Sequence, residues 1–215
     1  MMTKGDDLAS RWKRDIAGLP RGDIACAAAF GEIMALYGES RRRYHGIGHL
    51  QALFALLDTH VPQSVDRTPL HFAVWWHDAI HDPGLRDNEE KSAALARLHL
   101  EAMGAEPALT AHVCELILAT RNHWEGAPMG DGDFFLDADI AILGASPATY
   151  QRYTAAVRAE YAHLDDTTFG AGRSAFLKGA LLRPRLFRTQ IFAGAFEAQA
   201  RANMAAELLR LQAIA

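Results

Sequence analysis

Apolar residues recur three and four positions apart along most of this chain, the spacing that lines one face of an α-helix. Prolines, glycines and polar turn residues separate these stretches, and no stretch alternates apolar and polar residues as a half-buried β-strand does. The pattern predicts helices over residues 6–19, 22–37, 69–81, 88–103, 107–120, 134–143, 147–163, 172–182 and 192–212, with one more through His49. We therefore expect an all-α fold.

The composition of the chain restricts the number of domains, the possible partners and the location that we expect. Half of the 215 residues are hydrophobic, so we expect one helical domain over residues 1–215 with a substantial core. A net charge of −4 argues against a nucleic-acid partner, which usually leaves a basic surface. No apolar run approaches the roughly 20 residues of a membrane span, and the first residues lack the apolar centre of a signal peptide. We expect a cytoplasmic protein with no membrane partner, in which Cys26 and Cys114 are buried free thiols.

Ten histidines are the anomaly of this composition, and two short motifs concentrate them. His45 and His49 are four positions apart, which would place both imidazoles on one face of a helix. In the second motif, His77, Asp78 and His81 continue a stripe that is apolar over its first two helical turns. Imidazoles and a carboxylate presented together are the ligands of a transition-metal or Mg/Mn site.

Each motif also has an ordinary structural explanation. A single histidine on a core-facing stripe is usually a satisfied buried residue, and Asp78 could pair with an arginine. However, Trp75 and Trp76 make the surroundings of Asp78 dry, and a buried carboxylate must be paired or metal-bound. An Asp–Arg pair would leave the neighbouring imidazoles unexplained, so we favour the metal site.

Asp137 and Asp139 provide a third acidic cluster in an apolar segment. Asp139 shares a helical stripe with Leu136 and Leu143, so its side chain is expected to turn inward as a ligand. Asp137 lies off this stripe and is expected to orient a ligand from outside the coordination shell. A solvated face or a helix cap is the alternative for both.

These residues carry a family resemblance. His49, the His77–Asp78 doublet and Asp139 resemble the H…HD…D signature of the HD superfamily of metal-dependent phosphohydrolases. The first motif and His81 are also similar to cyclic-nucleotide phosphodiesterases, which are distant members. A bacterial group of predicted HD phosphohydrolases is similar over about residues 40–205. The shared elements are Asp87-Asn88-Glu89, residues 137–144, Arg158-x-Glu160-Tyr161 and Gly172-Arg173.

The resemblance implies an HD-type helical fold, with a metal-site core at about 40–145 and C-terminal helices 147–213 packed on it. It implies one or two divalent ions (Mn, Mg, Fe, Co or Ni), and the ligands it implies are His49, His77, Asp78 and Asp139. His45 matches a position that protonates the leaving group, and His81 matches one near a second metal or the attacking water. Gly46 stands where phosphodiesterases carry Asn, so cyclic-nucleotide hydrolysis is not implied.

Further residues are candidates for a second cation or for the substrate. His81, His123 and Glu89 could hold a second ion, and His123 could equally be an exposed loop residue or line the substrate pocket. Arg158 and Arg173 lie in the segments that resemble the family and could clamp a phosphate. One of Arg41–Arg43 could also reach the site, although such a run is usually solvated.

The predicted function is a metal-dependent phosphohydrolase acting on a small phosphomonoester or nucleotide through metal-activated water. The first alternative is a di-iron HD-type oxygenase, which would need His123 or His112 as a further ligand. The second alternative is a non-catalytic nucleotide or metal sensor. The sequence leaves a homodimer open as a partner.

Overall fold

The computed structural model describes residues 7–20 and 23–214. Within these ranges every regular element is helical and no strand occurs, which confirms the all-α prediction. The α-helices are α1 (Leu8–Asp15), α2 (Asp23–Tyr37), α3 (Ile47–His60), α4 (Thr68–Trp76), α5 (Asn88–Ala102), α6 (Pro107–Ala119), α7 (Asp133–Ile140), α8 (Pro147–Glu160), α9 (Asp166–Leu181) and α10 (Gln190–Ile214). Short 3-10 helices occupy Thr120–Asn122, Gly130–Gly132 and Ala141–Gly144. The predicted helix starts at Asp6 and Gly22 lie outside the described residues.

The chain forms two compact units, the first ending at Leu136 and the second beginning at Asp137. The first unit contains α1 to α6 and the start of α7. The second contains the end of α7 and α8 to α10. The expected single domain, with its C-terminal helices packed on a metal-site core, stays a prediction.

An aromatic cluster forms the core of the first unit on one side of α4. Trp75 and Trp76 are both 0% exposed, and the ring of Trp12 from α1 packs edge-on against them at centroid distances of 5.2 and 5.8 Å. Phe30 of α2 completes the cluster 5.7 Å from Trp12. These rings make the end of α4 a dry environment, as the sequence predicted.

Local signals account for several helix ends. The Ser146 hydroxyl accepts a hydrogen bond from the Thr149 backbone N–H at 3.4 Å, with Pro147 in the first turn, as expected of a cap followed by proline. Gly104 follows α5 with φ = 77°, the left-handed conformation that closes many helices at glycine. Both ends were predicted from the sequence.

In the second unit, the Ala141–Gly144 turn packs closely against α10. A Cβ atom at Gly144 would lie 2.6 Å from the Phe196 carbonyl oxygen, so only glycine permits this approach. Asn203 donates from its side-chain amide to the carbonyls of Leu143 and Ala145, both at 2.8 Å. The turn that follows α7 is therefore fixed by α10.

The two cysteines are buried thiols that form no disulfide, as expected. Burial raises the pKa of both thiols, which keeps them protonated and unreactive. Among the described residues, we find no helix with the length and apolar character needed to cross a bilayer.

Candidate metal centre

The first histidine motif lies across the start of α3 rather than on one helix. Gly46 is the residue before the first turn, so His45 precedes the helix and only His49 belongs to it. A Cβ at Gly46 would lie 3.2 Å from the Tyr37 carbonyl oxygen, which explains the glycine in a tight connection. His49 is 4% exposed, as its apolar stripe predicted. The expectation that both imidazoles share a helical face is wrong.

The second motif also leaves its helix earlier than predicted, because α4 ends at Trp76. Two of the backbone N–H groups beyond Trp76 donate to side chains of other elements and not to helical carbonyls. Asp78 N–H donates to the Tyr37 hydroxyl at 3.1 Å, and Ile80 N–H donates to Ser92 Oγ at 3.0 Å. Asp78 therefore lies in a turn and His81 in the irregular backbone after it, and neither is on the predicted helical stripe.

This turn nevertheless brings three ligand atoms together. The Nε2 atoms of His49 and His77 are 3.0 Å apart. Oδ2 of Asp78 lies 3.2 Å from Nε2 of His77 and 3.7 Å from Nε2 of His49. Two ligands at right angles, each about 2.1 Å from one ion, are about 3.0 Å apart. The two separations from Nε2 of His77 therefore match adjacent positions around a single divalent metal, and the 3.7 Å between His49 and Asp78 is wider than that spacing.

A backbone contact sets the ring orientation of His77. Its Nδ1 lies 3.0 Å from the Val74 carbonyl oxygen, which can only accept, so Nδ1 carries the proton. The lone pair of a neutral ring is then on Nε2, the atom that faces His49 and Asp78. The side chain is 0% exposed, and the ring of Phe135 packs against it at 5.7 Å.

Asp78 also belongs to a second group of ligand atoms. His45, Asp78 and His81 each offer one atom, and all three atoms lie within 4.8 Å of one another. The rings of His45 and His81 are close, with centroids 4.1 Å apart and an interplanar angle of 31°. All three residues are half-buried, so they form the more accessible side of the site. Tyr44 packs against both His45 and His49, at 4.8 and 5.0 Å.

The acidic cluster differs from its predicted orientation. Asp137 is 1% exposed, so the expectation that it is rotated away from the interior is wrong. Its carboxylate accepts hydrogen bonds at 2.7 Å from the backbone N–H groups of Arg188 and Thr189 and from the Thr189 hydroxyl. Asp137 thus fixes the entry to α10 within the second unit. Asp139 is half-buried in the last turn of α7, and its place among the ligands stays a prediction.

The two arginines proposed for substrate binding have protein partners in the second unit. Arg158 donates to the carbonyls of Tyr161 and Leu164 and pairs with Asp166 at 2.7 Å, which holds the connection between α8 and α9. Arg173 pairs with Glu207 at 2.8 Å, and both side chains are about nine-tenths buried. These contacts give both arginines structural partners within the second unit, and their role in substrate binding stays a prediction.

The other candidate ligands, Glu89, His112 and His123, lie away from the two groups of ligand atoms described above. Glu89 is 3.7 Å from the guanidinium of Arg121, and His112 is 3.7 Å from the carboxylate of Glu115. His123 is half-buried after the 3-10 helix Thr120–Asn122. Among the described residues, none of these three candidate ligands joins a group of His, Cys or carboxylate atoms close enough to share an ion.

Arg42 is the residue of this region that the sequence did not single out. It was one of three arginines interpreted as a solvated run or as a phosphate contact, yet its side chain is 1% exposed. The run offers no signal that distinguishes Arg42 from Arg41 and Arg43, because burial here depends on contacts between distant segments.

Comparisons with protein-family models, with curated proteins and with solved structures find no match to this chain.

Proposed function

We propose that this chain is a metal-dependent phosphohydrolase acting on a small phosphomonoester or nucleotide. The observation that carries the proposal is the approach of His49 Nε2, His77 Nε2 and Asp78 Oδ2 to within 3.0–3.7 Å of one another. Two imidazoles and a carboxylate in this arrangement leave several positions of a six-coordinate ion open for water and a phosphate oxygen.

His49, His77 and Asp78 would hold the ion, and Asp139 is the proposed fourth ligand. A bound divalent cation polarises a phosphoryl group and lowers the pKa of coordinated water. Two nitrogen ligands favour Mn, Fe, Co or Ni over Mg, which prefers an all-oxygen shell.

His45 and His81 would handle protons on the accessible side of Asp78. Both imidazoles are half-buried and lie close enough to Asp78 for their ligand atoms to fall within 4.8 Å. We assign His45 as the donor of a proton to the leaving oxygen and His81 as the group that orients the attacking water or accepts its proton. Imidazole suits both tasks because its ordinary pKa is close to neutral pH.

The test is phosphate release by metal-loaded protein. The purified chain is stripped with a chelator, reloaded separately with Mn, Mg, Co, Ni or Fe, and assayed on a panel of nucleotides and sugar phosphates. We expect inorganic phosphate release that depends on a transition metal. No turnover with any ion would contradict the proposal, and tight nucleotide binding without turnover would support the sensor instead.

Asp139 is tested by metal titration of Asp139→Asn, with Asp137→Asn as the matched control. Loss of a ligand should remove stoichiometric binding from Asp139→Asn. Asp137→Asn should mainly lower the unfolding free energy, because the Asp137 carboxylate accepts hydrogen bonds at the entry to α10. If only Asp137→Asn loses metal, the proposed fourth ligand is wrong.

A di-iron oxygenase is the second candidate, because Asp78 belongs to both groups of ligand atoms and could bridge two ions. Aerobic purification with metal analysis and Mössbauer spectroscopy distinguishes it from the phosphohydrolase. Fewer than two irons per chain would remove this candidate.

A further inference from the structure

The buried guanidinium of Arg42 connects the two motifs of the metal centre. Nη1 donates to the carbonyl oxygens of His45 at 3.2 Å and Asp78 at 2.5 Å. Nη2 donates to the carbonyl of Ala79 at 2.6 Å. One side chain thus binds the backbone just before α3 and the backbone just after α4.

Both of these segments are irregular, so no helix holds their peptide groups in place. Tyr37 adds a second constraint, since its hydroxyl accepts from Asp78 N–H at 3.1 Å. Its ring lies against the guanidinium of Arg42 at 5.1 Å. The N–H of Asp78 is therefore held by Tyr37 and its carbonyl by Arg42, which fixes the backbone position from which the carboxylate extends.

The chemistry of the contact requires a guanidinium. A planar fork with five donors on three nitrogens can serve three carbonyls and a carboxylate at once, whereas a lysine ammonium has three donors on a single nitrogen. Glu39 supplies the negative charge for Arg42 at 3.2 Å from Nε. The remaining donors of Arg42 are directed to the backbone of the metal motifs.

We infer that Arg42 is a positioning residue for metal binding: with Tyr37, it holds Asp78 in register with His49 and His77. The inference rests on the proposed function, since it requires a divalent cation at these ligands. Ligand groups must be held within about 0.5 Å of their productive positions, so a shift of the turn at Asp78 should weaken metal binding even in a folded chain.

The test compares Arg42→Lys with Arg11→Lys. Arg11 is the matched control, because it is a buried arginine of the same unit whose guanidinium pairs with Asp58 at 2.5 Å. Cobalt(II) alone is the probe, since its visible absorption reports coordination geometry while titration gives affinity. We expect Arg42→Lys to bind cobalt about 10–100-fold more weakly with an altered spectrum. Arg11→Lys should lose stability but keep native cobalt affinity and spectrum.

A second pair of variants, with smaller changes, tests the inference if Arg42→Lys does not fold. Tyr37→Phe removes only the hydroxyl that accepts from Asp78, and Tyr150→Phe removes a buried hydroxyl that donates to Glu207 in the second unit. We expect about a 10-fold loss of cobalt affinity for Tyr37→Phe and none for Tyr150→Phe.

The outcomes separate this inference from the proposed function. Native cobalt affinity and spectrum in Arg42→Lys or Tyr37→Phe, or equal losses in the matched controls, would overturn the positioning role alone. A native chain that binds no cobalt would overturn both. A native chain that binds cobalt but hydrolyses no phosphoester would overturn only the hydrolase, and the variants would still decide the role of Arg42.

Discussion

Each of the two units buries a cluster of polar side chains, and the clusters differ in what they offer to a ligand. In the second unit, Arg173 donates to both carboxylate oxygens of Glu207 at 2.8 and 3.0 Å, and the hydroxyl of Tyr150 donates to the same carboxylate. Burial, together with the hydrogen bond to Glu207, raises the pKa of Tyr150 and keeps it a donor. Positive and negative groups are matched within this cluster.

In the first unit, the corresponding cluster gathers atoms that offer lone pairs. Nε2 of His77 faces Nε2 of His49 and Oδ2 of Asp78 at 3.0 and 3.2 Å. Neutral imidazole nitrogens and a carboxylate favour a cation among them. The cluster of the first unit is therefore a candidate site for a cation, whereas the charges of the second cluster neutralise one another within the fold.

The largest effect is expected from substitution of Asp78, which belongs both to the group of ligand atoms with His49 and His77 and to the group with His45 and His81. Asp78→Ala should lose stoichiometric metal while its far-ultraviolet circular dichroism stays native, because Asp78 lies beyond the end of α4. The loss should exceed the roughly 10–100-fold effect of residues that only orient ligands. Elemental analysis after dialysis measures it, with Asp66→Ala, an exposed acid of the same unit, as the control. Retained stoichiometric metal would remove Asp78 from the ligand set.

Substitutions of His45 and His49 should have different effects although the ring centroids are only 5.8 Å apart. His49→Ala should lose metal. His45→Ala should keep metal and lose turnover by about 10²–10⁴-fold, the usual contribution of a positioned proton donor. The defect should shrink on nitrophenyl phosphate, whose leaving group needs little protonation. Steady-state kinetics on both substrates provide the measurement, and an equal defect on the two would contradict the proton-donor role.

Substitutions in the charge-matched cluster of the second unit should change the free energy of unfolding. Glu207→Leu leaves the buried guanidinium of Arg173 without its carboxylate, and should lower the unfolding free energy by about 3–5 kcal/mol. Adding Arg173→Met should recover much of this loss, because the two charges are then removed together. Urea unfolding of the single and double variants checks the prediction. A single variant within about 0.5 kcal/mol of native would show that the pair contributes little.

The smallest expected effect concerns an ion pair of the first unit that is partly open to solvent. Burial raises the pKa of Asp58, but the hydrogen bond and charge of Arg11, with the charges of His71 and Arg67, outweigh it and hold this pKa below its ordinary value. A lowered carboxyl pKa stabilises the fold above the unfolded-state pKa of about 3.9, and the contribution disappears as the pH falls through the folded-state pKa.

We therefore expect Asp58→Asn to be less stable than native at pH 7 and the difference to shrink as the pH falls below about 4. Its size should stay below about 1 kcal/mol, because the Asp58 side chain is 44% exposed. Urea unfolding of both proteins across this pH range gives the difference. A gap that is constant with pH would mean that the charge of Asp58 does not stabilise the fold.

Sequence pattern predicted those features of the fold that depend on neighbours along the chain. The start of α8 at Pro147 and the left-handed Gly104 follow from capping and backbone sterics within a few residues. The buried position of His49 follows from its apolar stripe. These outcomes need no knowledge of distant segments.

The sequence also selected His49, His77 and Asp78 as candidate ligands by residue type and spacing, and the structure brings these three side chains close together. The sequence failed on their local structure. Helical periodicity over residues 70–81 extends beyond Trp76, where partners from Tyr37 and Ser92 replace the helical hydrogen bonds. The periodicity of apolar residues does not reveal a hydrogen-bond partner that is more than ten positions away along the chain.

Only the tertiary structure shows which charged side chains bind to other parts of the protein and so hold the fold together. By sequence, Asp137 and Asp139 differ only in helical phase, and Arg42 does not differ from its neighbours. In the structure, the carboxylate of Asp137 accepts from the backbone just before α10, and Arg42 donates to the carbonyls of Asp78 and Ala79. Residue type and spacing determine what a side chain can bind, whereas its partner depends on which distant backbone groups the fold leaves without a helical hydrogen bond.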